Sequence, residues 1–206
     1  MMKAIFSDQL SEFSKIYSND IELVSIKRPD AESCNSLSKK FIASKQELKL
    51  QWTQNTEDSK HIVNAIPETI QPDLRSMLIE QISESSTTLH ELVGCKKVAV
   101  RIATLRSAMC PRFHVDQIPC RLLITFCGKA TEWIPNDSVD WDIFSDSSSN
   151  DIPVEKEEMI QKLKPGEWAL LKGGKWQNNF RGVVHRSPHD KSERLFLSID
   201  PIFEDL

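Results

Sequence analysis

The sequence contains no hydrophobic run long enough to cross a membrane. A transmembrane helix needs roughly 18 uninterrupted apolar residues, and no window approaches that length. Near the N-terminus, Asp8 and Glu12 interrupt the chain before an apolar stretch reaches the length of a signal peptide. We therefore expect a cytoplasmic protein without a membrane partner.

Other common signatures are also missing. The five cysteines are an odd number and include no Cys-x-x-Cys pair, which argues against a disulfide framework and a zinc finger. Acidic and basic residues are interspersed around a net charge of −4, so we expect no nucleic-acid partner. The 206 residues suit one domain. These exclusions leave a small molecule or another protein as the expected substrate. The sequence identifies neither that substrate nor the oligomeric state.

Residues 1–95 have a helical or irregular pattern. Apolar residues recur at helical spacing in two segments, which contain Leu10, Phe13 and Tyr17, and Ile70, Leu74, Met77, Leu78, Leu89 and Leu92. Pro72 and Asp73 are typical of the start of the longer helix, and Gly94 is typical of its end. We predict that this half packs as a helical layer on the rest of the chain.

Residues 28–66 allow two interpretations. Leu37 and Phe41 indicate a short helix. By contrast, Leu48, Leu50 and Trp52 alternate with polar residues as in a strand. Neither pattern extends over the whole stretch.

Residues 96–206 change to short strands rich in Val, Ile, Leu, Phe and Thr. The predicted strands are 96–105, 111–116, 120–127, 131–134, 167–173, 181–187 and 194–200. Turn residues separate them, which favours an antiparallel sandwich or barrel and an α+β fold overall. The polar insertion at 136–165 is predicted as a solvated loop rather than a lid, with a short helix from Val154 to Leu163.

His114 and Asp116 form the motif that points to chemistry. Residues two apart on a strand project from the same face, so both side chains can enter one cavity. His185, at the end of a later strand, is the natural third ligand. Two histidines and one carboxylate leave three coordination positions open, an arrangement that suits non-haem Fe(II). Zn²⁺ remains an alternative, since Cys110 shares the strand parity of His114 and could be a soft fourth ligand or a small buried hydrophobe.

Arg194 follows His185 by nine positions, after a predicted turn at 187–191. At the start of the return strand its guanidinium could pair with the distal carboxylate of a dicarboxylic acid that chelates the metal. Ser198, on the same strand face, could assist. An arginine at this position is also commonly a surface ion-pair partner. Arg121 and Thr125 share a strand face that could line the same cavity.

The order His-x-Asp, strands, distal His and Arg resembles the 2-oxoglutarate- and Fe(II)-dependent oxygenase superfamily, whose fold is a double-stranded β-helix. More narrowly, FHVDQIPCRLLITFCGKATEWIP, LLKGGKW and GVVHRSP are similar to the bacterial family called domain of unknown function 1826. That similarity covers about residues 95–202. The family pattern has a Gly-Pro-Gly-Thr-like turn at 128–131 and a Tyr at position 126, whereas this chain has GKAT and Phe126.

The resemblance implies a double-stranded β-helix at 96–206 that holds Fe(II) through His114, Asp116 and His185. It also implies 2-oxoglutarate as co-substrate, bound by Arg194. The first alternative is a zinc- or iron-binding protein of metal homeostasis without turnover. The second is a degenerate barrel that binds a protein partner.

Overall fold

The computed structural model describes residues 1–56, 58–177, 180–189 and 192–203. The helices are α1 (Ala31–Ala43), α2 (Ser59–Ala65), α3 (Pro72–Val93) and α4 (Trp141–Ser145), with 3-10 helices at Leu10–Tyr17, Asn136–Ser138 and Glu157–Met159. The strands are β1 (Lys3–Ser7), β2 (Ile21–Lys27), β3 (Lys49–Asn55), β4 (Lys97–Leu105), β5 (Cys120–Cys127), β6 (Glu132–Ile134), β7 (Gln161–Lys162), β8 (Glu167–Lys172), β9 (Val184–Arg186) and β10 (Arg194–Ile202). No described helix is both long and apolar enough to span a membrane.

The described strands form two sheets. The larger has the order β1-β2-β8-β5-β10-β4-β3, and the smaller has the order β7-β6-β9. The β1–β2 pair is parallel, while the other pairs are antiparallel. From β4 onward the chain passes repeatedly between the two sheets. The larger sheet contains β4, β5, β8 and β10, and the smaller contains β6, β7 and β9. Two facing antiparallel sheets confirm the predicted sandwich in the C-terminal half.

The larger sheet is packed on both faces. Its outer face meets the helices in the main core, which includes Phe41, Leu78, Val100, Leu122, Leu170 and Leu197. Its inner face meets the smaller sheet in a second cluster, which includes Leu23, Leu123, Leu171, Trp133 and Val183. Fully burying one such aliphatic side chain contributes about 1.5–3 kcal/mol. The first cluster therefore joins the helices to the larger sheet, and the second joins the two sheets to each other.

Helix α3 confirms the longest predicted helix. Pro72 lies in its first turn, where the missing N–H removes no helical hydrogen bond. Gly94 ends it at φ 71° with its N–H donating to the carbonyl of His90, a left-handed cap that favours glycine. Its buried residues include Leu74, Met77, Leu78 and Leu89. Both patterns predicted between residues 28 and 66 are also correct, as α1 and β3.

The N-terminal half is not a purely helical layer, and that prediction needs correction. β1, β2 and β3 extend the larger sheet at its two ends, and β2 is buried on both faces over Ile21–Ile26. A short strand that is buried on both faces lacks the alternation that marks a half-buried strand. The helix predicted around Phe13 is a 3-10 helix at Leu10–Tyr17.

The insertion at 136–165 is more structured than predicted. Helix α4 starts where the Asp140 carboxylate accepts hydrogen bonds from the N–H groups of Asp142 and Ile143. The predicted helix from Val154 to Leu163 is wrong, since that segment contains a 3-10 turn at Glu157–Met159 and then β7. A third apolar cluster ties the insertion to the smaller sheet through Val139, Val154, Phe113 and Val184.

Candidate metal centre

His114, Asp116 and His185 come together between the two sheets. His185 is the central residue of β9. The predicted strand at 111–116 is a single bridge instead, in which His114 and His185 exchange two backbone hydrogen bonds of 2.9 Å. One ligand atom from each of the three side chains lies within 4.8 Å of the others. The structure therefore brings together the three predicted ligands.

Each of the two imidazoles is oriented by a hydrogen bond at its Nδ1 atom. His114 Nδ1 lies 3.0 Å from the carbonyl of Arg112, and His185 Nδ1 lies 3.0 Å from the carbonyl of Val183. A carbonyl only accepts hydrogen bonds, so each Nδ1 must carry the proton. In the neutral rings the lone pairs are then on Nε2, where a metal ion would need them.

The carboxylate of Asp116 is the third donor. Its Oδ2 lies 3.3 Å from His185 Nε2 and 2.8 Å from Arg121 Nη1, while Oδ1 lies 3.8 Å from His114 Nε2. The two contacts of Oδ2 have ion-pair distances but not hydrogen-bond directions, so this buried oxygen has no hydrogen bond from the described residues. A buried, unbonded carboxylate oxygen beside two imidazole lone pairs fits a bound cation.

Electrostatics keep Asp116 and His114 in the forms that bind metals. Burial tends to raise the pKa of Asp116, but His185 and the Arg121 guanidinium more than offset it and hold the pKa at about 2. Burial and the neighbouring His185 lower the pKa of His114. The carboxylate is therefore ionised and the His114 ring neutral at neutral pH.

Glycines pack against the backbone of the segment that carries His114 and Asp116. The N–H of Gly174 donates to the carbonyl of Asp116 at 2.8 Å. A Cβ on Gly182, whose φ is +89°, would lie 2.2 Å from Val115 Cγ1. The Gly173–Gly174 loop thus packs against the loop that carries His114 and Asp116.

A cavity of about 290 Å³ opens beside the three ligands. Arg194 and Ser198 line it from β10, and both are buried. Arg194 Nη2 donates to Ser187 Oγ at 2.9 Å, so this arginine faces the site and is not on the surface. Residues 190 and 191 of the predicted turn lie outside the described ones.

Arg121 and Thr125, the other predicted contacts, differ in position. Arg121 lines the cavity and also forms two hydrogen bonds with Asp200, from Nε to Oδ1 and from Nη2 to Oδ2, each 2.6 Å long. Thr125 is buried further along β5 and is not among the described residues that line the cavity. Whether either contacts a co-substrate stays a prediction.

Cys110 lines the cavity but is not part of the three-residue ligand cluster found among the described residues. The side chain is exposed, so it is not the buried hydrophobe considered above. The geometry does not support a fourth, soft ligand.

The polar insertion is attached to the metal centre. Arg112, two residues before His114, donates from Nη2 to the carbonyl of Asp146 at 2.7 Å and from Nη1 to that of Ser147 at 2.9 Å. The predicted solvated loop is thus tied directly to the ligand segment.

Three residues at the site were not predicted from the sequence: Arg101, Arg186 and Asp200. Arg101 and Arg186 line the cavity, and Asp200 holds Arg121. One signal could have identified Asp200: β10 carries polar residues at 194, 198 and 200 on one face of an otherwise apolar strand. Same-face polar residues on a buried strand indicate a site between the sheets.

Solved structures with this architecture include a dioxygenase and a hydroxylase. The dioxygenase for auxin oxidation 1 of Arabidopsis thaliana, in a binary complex with 2-oxoglutarate, aligns with a TM-score of 0.52 and 13% identity over 100% of this chain and 95% of its own. A Pseudomonas putida prolyl-4-hydroxylase aligns with a TM-score of 0.52 and 10% identity over 93% and 97% of the two chains. A full-length Neurospora crassa protein, in complex with α-ketoglutarate, aligns with a TM-score of 0.51 and 12% identity over 97% and 84%.

At these identities the likeness shows the fold, the double-stranded β-helix that the sequence resemblance implied, and not the activity. The chain matches no curated protein by sequence. The family model described as protein of unknown function DUF1826 matches residues 7–200, and the chain belongs to this family.

Proposed function

We propose that the protein is an Fe(II)- and 2-oxoglutarate-dependent oxygenase. The observation that carries this proposal is the donor set: two imidazole Nε2 atoms and one buried carboxylate that converge from His114, His185 and Asp116. Two histidines and one carboxylate are the ligands of non-haem Fe(II) oxygenases, and they leave room for co-substrate and oxygen. The bound iron would supply oxygen activation, with 2-oxoglutarate as the source of electrons.

The chain would contribute the position of every donor atom. The backbone bridge between His114 and His185 fixes the separation of the two rings. The carbonyls at each Nδ1 fix the ring orientations, and Arg121 fixes the Asp116 carboxylate. Because each donor is held by partners of its own, binding would require little rearrangement.

Arg194 would hold the co-substrate. Arg194 reaches Ser187, which is two residues beyond His185. Two residues of extended chain span about 7 Å, which is within the reach of a five-carbon dicarboxylate that chelates the metal at its other end. The guanidinium would pair with the distal carboxylate. Support also comes from the solved structures of similar fold, two of which were determined as complexes with 2-oxoglutarate or α-ketoglutarate.

Anaerobic addition of Fe(II) and 2-oxoglutarate tests the proposal. Chelation of both at one centre is expected to give a visible metal-to-ligand charge-transfer band. Asp116→Ala should abolish Fe(II) retention, while Asp8→Ala, an exposed carboxylate elsewhere, should leave it unchanged. Arg194→Gln should weaken 2-oxoglutarate binding and spare the metal. Tight metal binding without the band would contradict the oxygenase proposal and favour a metal-binding protein without turnover.

A further inference from the structure

Arg101 is a cavity arginine whose charge is not balanced by an acidic side chain of the described residues. It lies in β4, and Ser198 faces it across the β4–β10 pair. Its side chain lines the same cavity as the metal ligands. Within the described part of the chain, its side-chain partner is the neutral amide of Gln51, with Oε1 3.5 Å from Nε.

The neighbouring arginines of the cavity have ionic partners. Arg121 pairs with Asp116 and Asp200, and Nε of Arg186 lies 2.8 Å from Glu132 Oε2. A guanidinium partly removed from water is stabilised by an anion that can accept two parallel hydrogen bonds. The described residues supply no such anion to Arg101, so the cavity offers a site for one from outside.

Arg101 and the predicted co-substrate anchor lie at different levels of the sheet. Arg194 is opposite Leu105, whereas Ser198 is opposite Arg101. Four residues of strand separate the two levels by about 13 Å. The distal carboxylate that pairs with Arg194 would therefore lie away from Arg101, which leaves Arg101 to a different group.

The level of Arg101 is nevertheless close to the metal centre. Asp200, which holds Arg121 beside Asp116, lies two residues beyond Ser198 on the same strand. That is one step of about 7 Å along the inner face. A molecule anchored at Arg101 would thus extend into the space next to the metal ligands.

We propose that Arg101 binds a carboxylate or phosphate group of the molecule that is oxidised, so that the prime substrate is an anion. This inference rests on the proposed function for the place of the co-substrate. The planar guanidinium fork matches both groups, because each presents two oxygens to parallel N–H donors.

Binding of two probe anions to the full chain tests the proposal. The protein is loaded with Zn(II) and 2-oxoglutarate, which do not turn over, and is titrated with inorganic phosphate or with benzoate, followed by NMR. The probe that binds more tightly identifies the kind of group. Arg101→Gln is expected to weaken that probe about tenfold and to change 2-oxoglutarate affinity less than about twofold.

Two further variants separate the role of Arg101 from general effects. Arg101→Lys keeps the charge but not the fork, so it should bind phosphate better than benzoate. Arg106→Gln is the control, because Arg106 lies just beyond β4 and pairs with Glu47 and Glu193 outside the cavity. Zn(II) stoichiometry equal to that of the unaltered protein shows that each variant is folded.

Two results would overturn the inference. One is an equal loss of 2-oxoglutarate and probe affinity in Arg101→Gln, which would place Arg101 in the co-substrate site. The other is probe binding that does not depend on Arg101. Titration without 2-oxoglutarate separates this inference from the proposed function. Arg101-dependent anion binding by a protein that gives no Fe(II)–2-oxoglutarate band would overturn the oxygenase proposal alone.

Discussion

Arg121 and Asp116 form an ion pair inside the candidate metal centre, with Nη1 2.8 Å from Oδ2. The other two nitrogens of the same guanidinium bind both oxygens of Asp200 at 2.6 Å. Asp200 therefore fixes Arg121 on its far side, and Arg121 fixes the metal-binding carboxylate. Partners of this kind commonly contribute 10–100-fold to metal affinity because they orient the ligand.

The first prediction is that Arg121→Gln lowers metal affinity about tenfold. The Asp116 carboxylate loses the contact that orients it and helps to keep its pKa low. Competition with a chelator for Zn(II) or anaerobic Fe(II) measures the effect. Asp200→Asn should give a smaller loss, since Arg121 remains but is held less firmly.

Arg28→Gln is a suitable control for this experiment. The Arg28 side chain is about as buried as that of Arg121 and is paired with Glu84, away from the cavity. It should leave metal affinity unchanged. Tighter metal binding by Arg121→Gln would contradict the prediction and show that the guanidinium competes with the metal for Asp116.

The three candidate metal ligands could be proposed from the sequence because each part of their signal is local. His114 and Asp116 are two residues apart, and His185 belongs to a strand with clear turn residues on either side. The Arg121–Asp200 pair could not be predicted in the same way. The two residues are 79 positions apart, and their contact depends on the register of β5 against β10, which the pattern of a single strand does not fix.

The same physical limit explains the missed N-terminal strands. β2 is buried on both faces and includes the polar residues Glu22 and Ser25, so its sequence lacks the regular alternation of a half-buried strand. Its place in the sheet depends on pairing with β8, whose residues lie 140 to 148 positions away. By contrast, α3 is bounded by a proline and a glycine that act on their immediate neighbours, and both ends were predicted correctly.

The second prediction is that Gly182→Ala weakens metal binding, although Gly182 is not a ligand. Its φ of +89° disfavours a side chain, and the new Cβ would lie 2.2 Å from Cγ1 of Val115. Val115 is the residue between His114 and Asp116. Gly94→Ala is the matched control, because its φ is +71° but no atom lies within 4 Å of the added Cβ.

Both glycine variants should lose about 1–2 kcal/mol of unfolding free energy from the left-handed backbone. Only Gly182→Ala should also lose metal affinity. Chemical denaturation and chelator competition measure the two quantities separately. Equal metal affinity in both variants would show that the ligand loop adapts to the clash.

The third prediction concerns thiol reactivity. Cys110 is exposed, whereas the other four cysteines are buried. Burial raises the pKa of Cys34 to about 12 and that of Cys95 to about 11, so few of these thiols are reactive thiolates at about pH 8. The folded chain should therefore react with one equivalent of a disulfide reagent, and the denatured chain with five.

Cys110 also reports on the cavity that it lines. Zn(II) together with 2-oxoglutarate should slow its labelling, and Cys110→Ser should abolish the fast phase. Mass spectrometry of the labelled peptides identifies the residue. Labelling at an unchanged rate in the loaded protein would argue against a ligand in this cavity.

The fourth prediction concerns the buried carboxyl group of Glu22 in β2. Its Oε2 accepts hydrogen bonds from the backbone N–H and the side-chain amide of Asn136. Oε1 has no hydrogen bond from the described part of the chain. Burial raises the pKa of Glu22, only partly offset by Asn136, so ionisation of this group opposes folding.

The sign of the pH dependence follows from proton binding. Between the ordinary pKa of a glutamate and the raised value, the folded chain binds more protons than the unfolded chain. The contribution of Glu22 to stability therefore falls as the pH rises through that interval. Glu22→Gln removes the ionisable group. The stability of this variant relative to the unaltered protein should therefore rise as the pH increases from about 5 to about 8. Thermal unfolding in the presence of a chelator measures the difference, with the exposed Glu158→Gln as the control. A lower Tm of Glu22→Gln at the higher pH would mean that the folded state requires the ionised carboxylate.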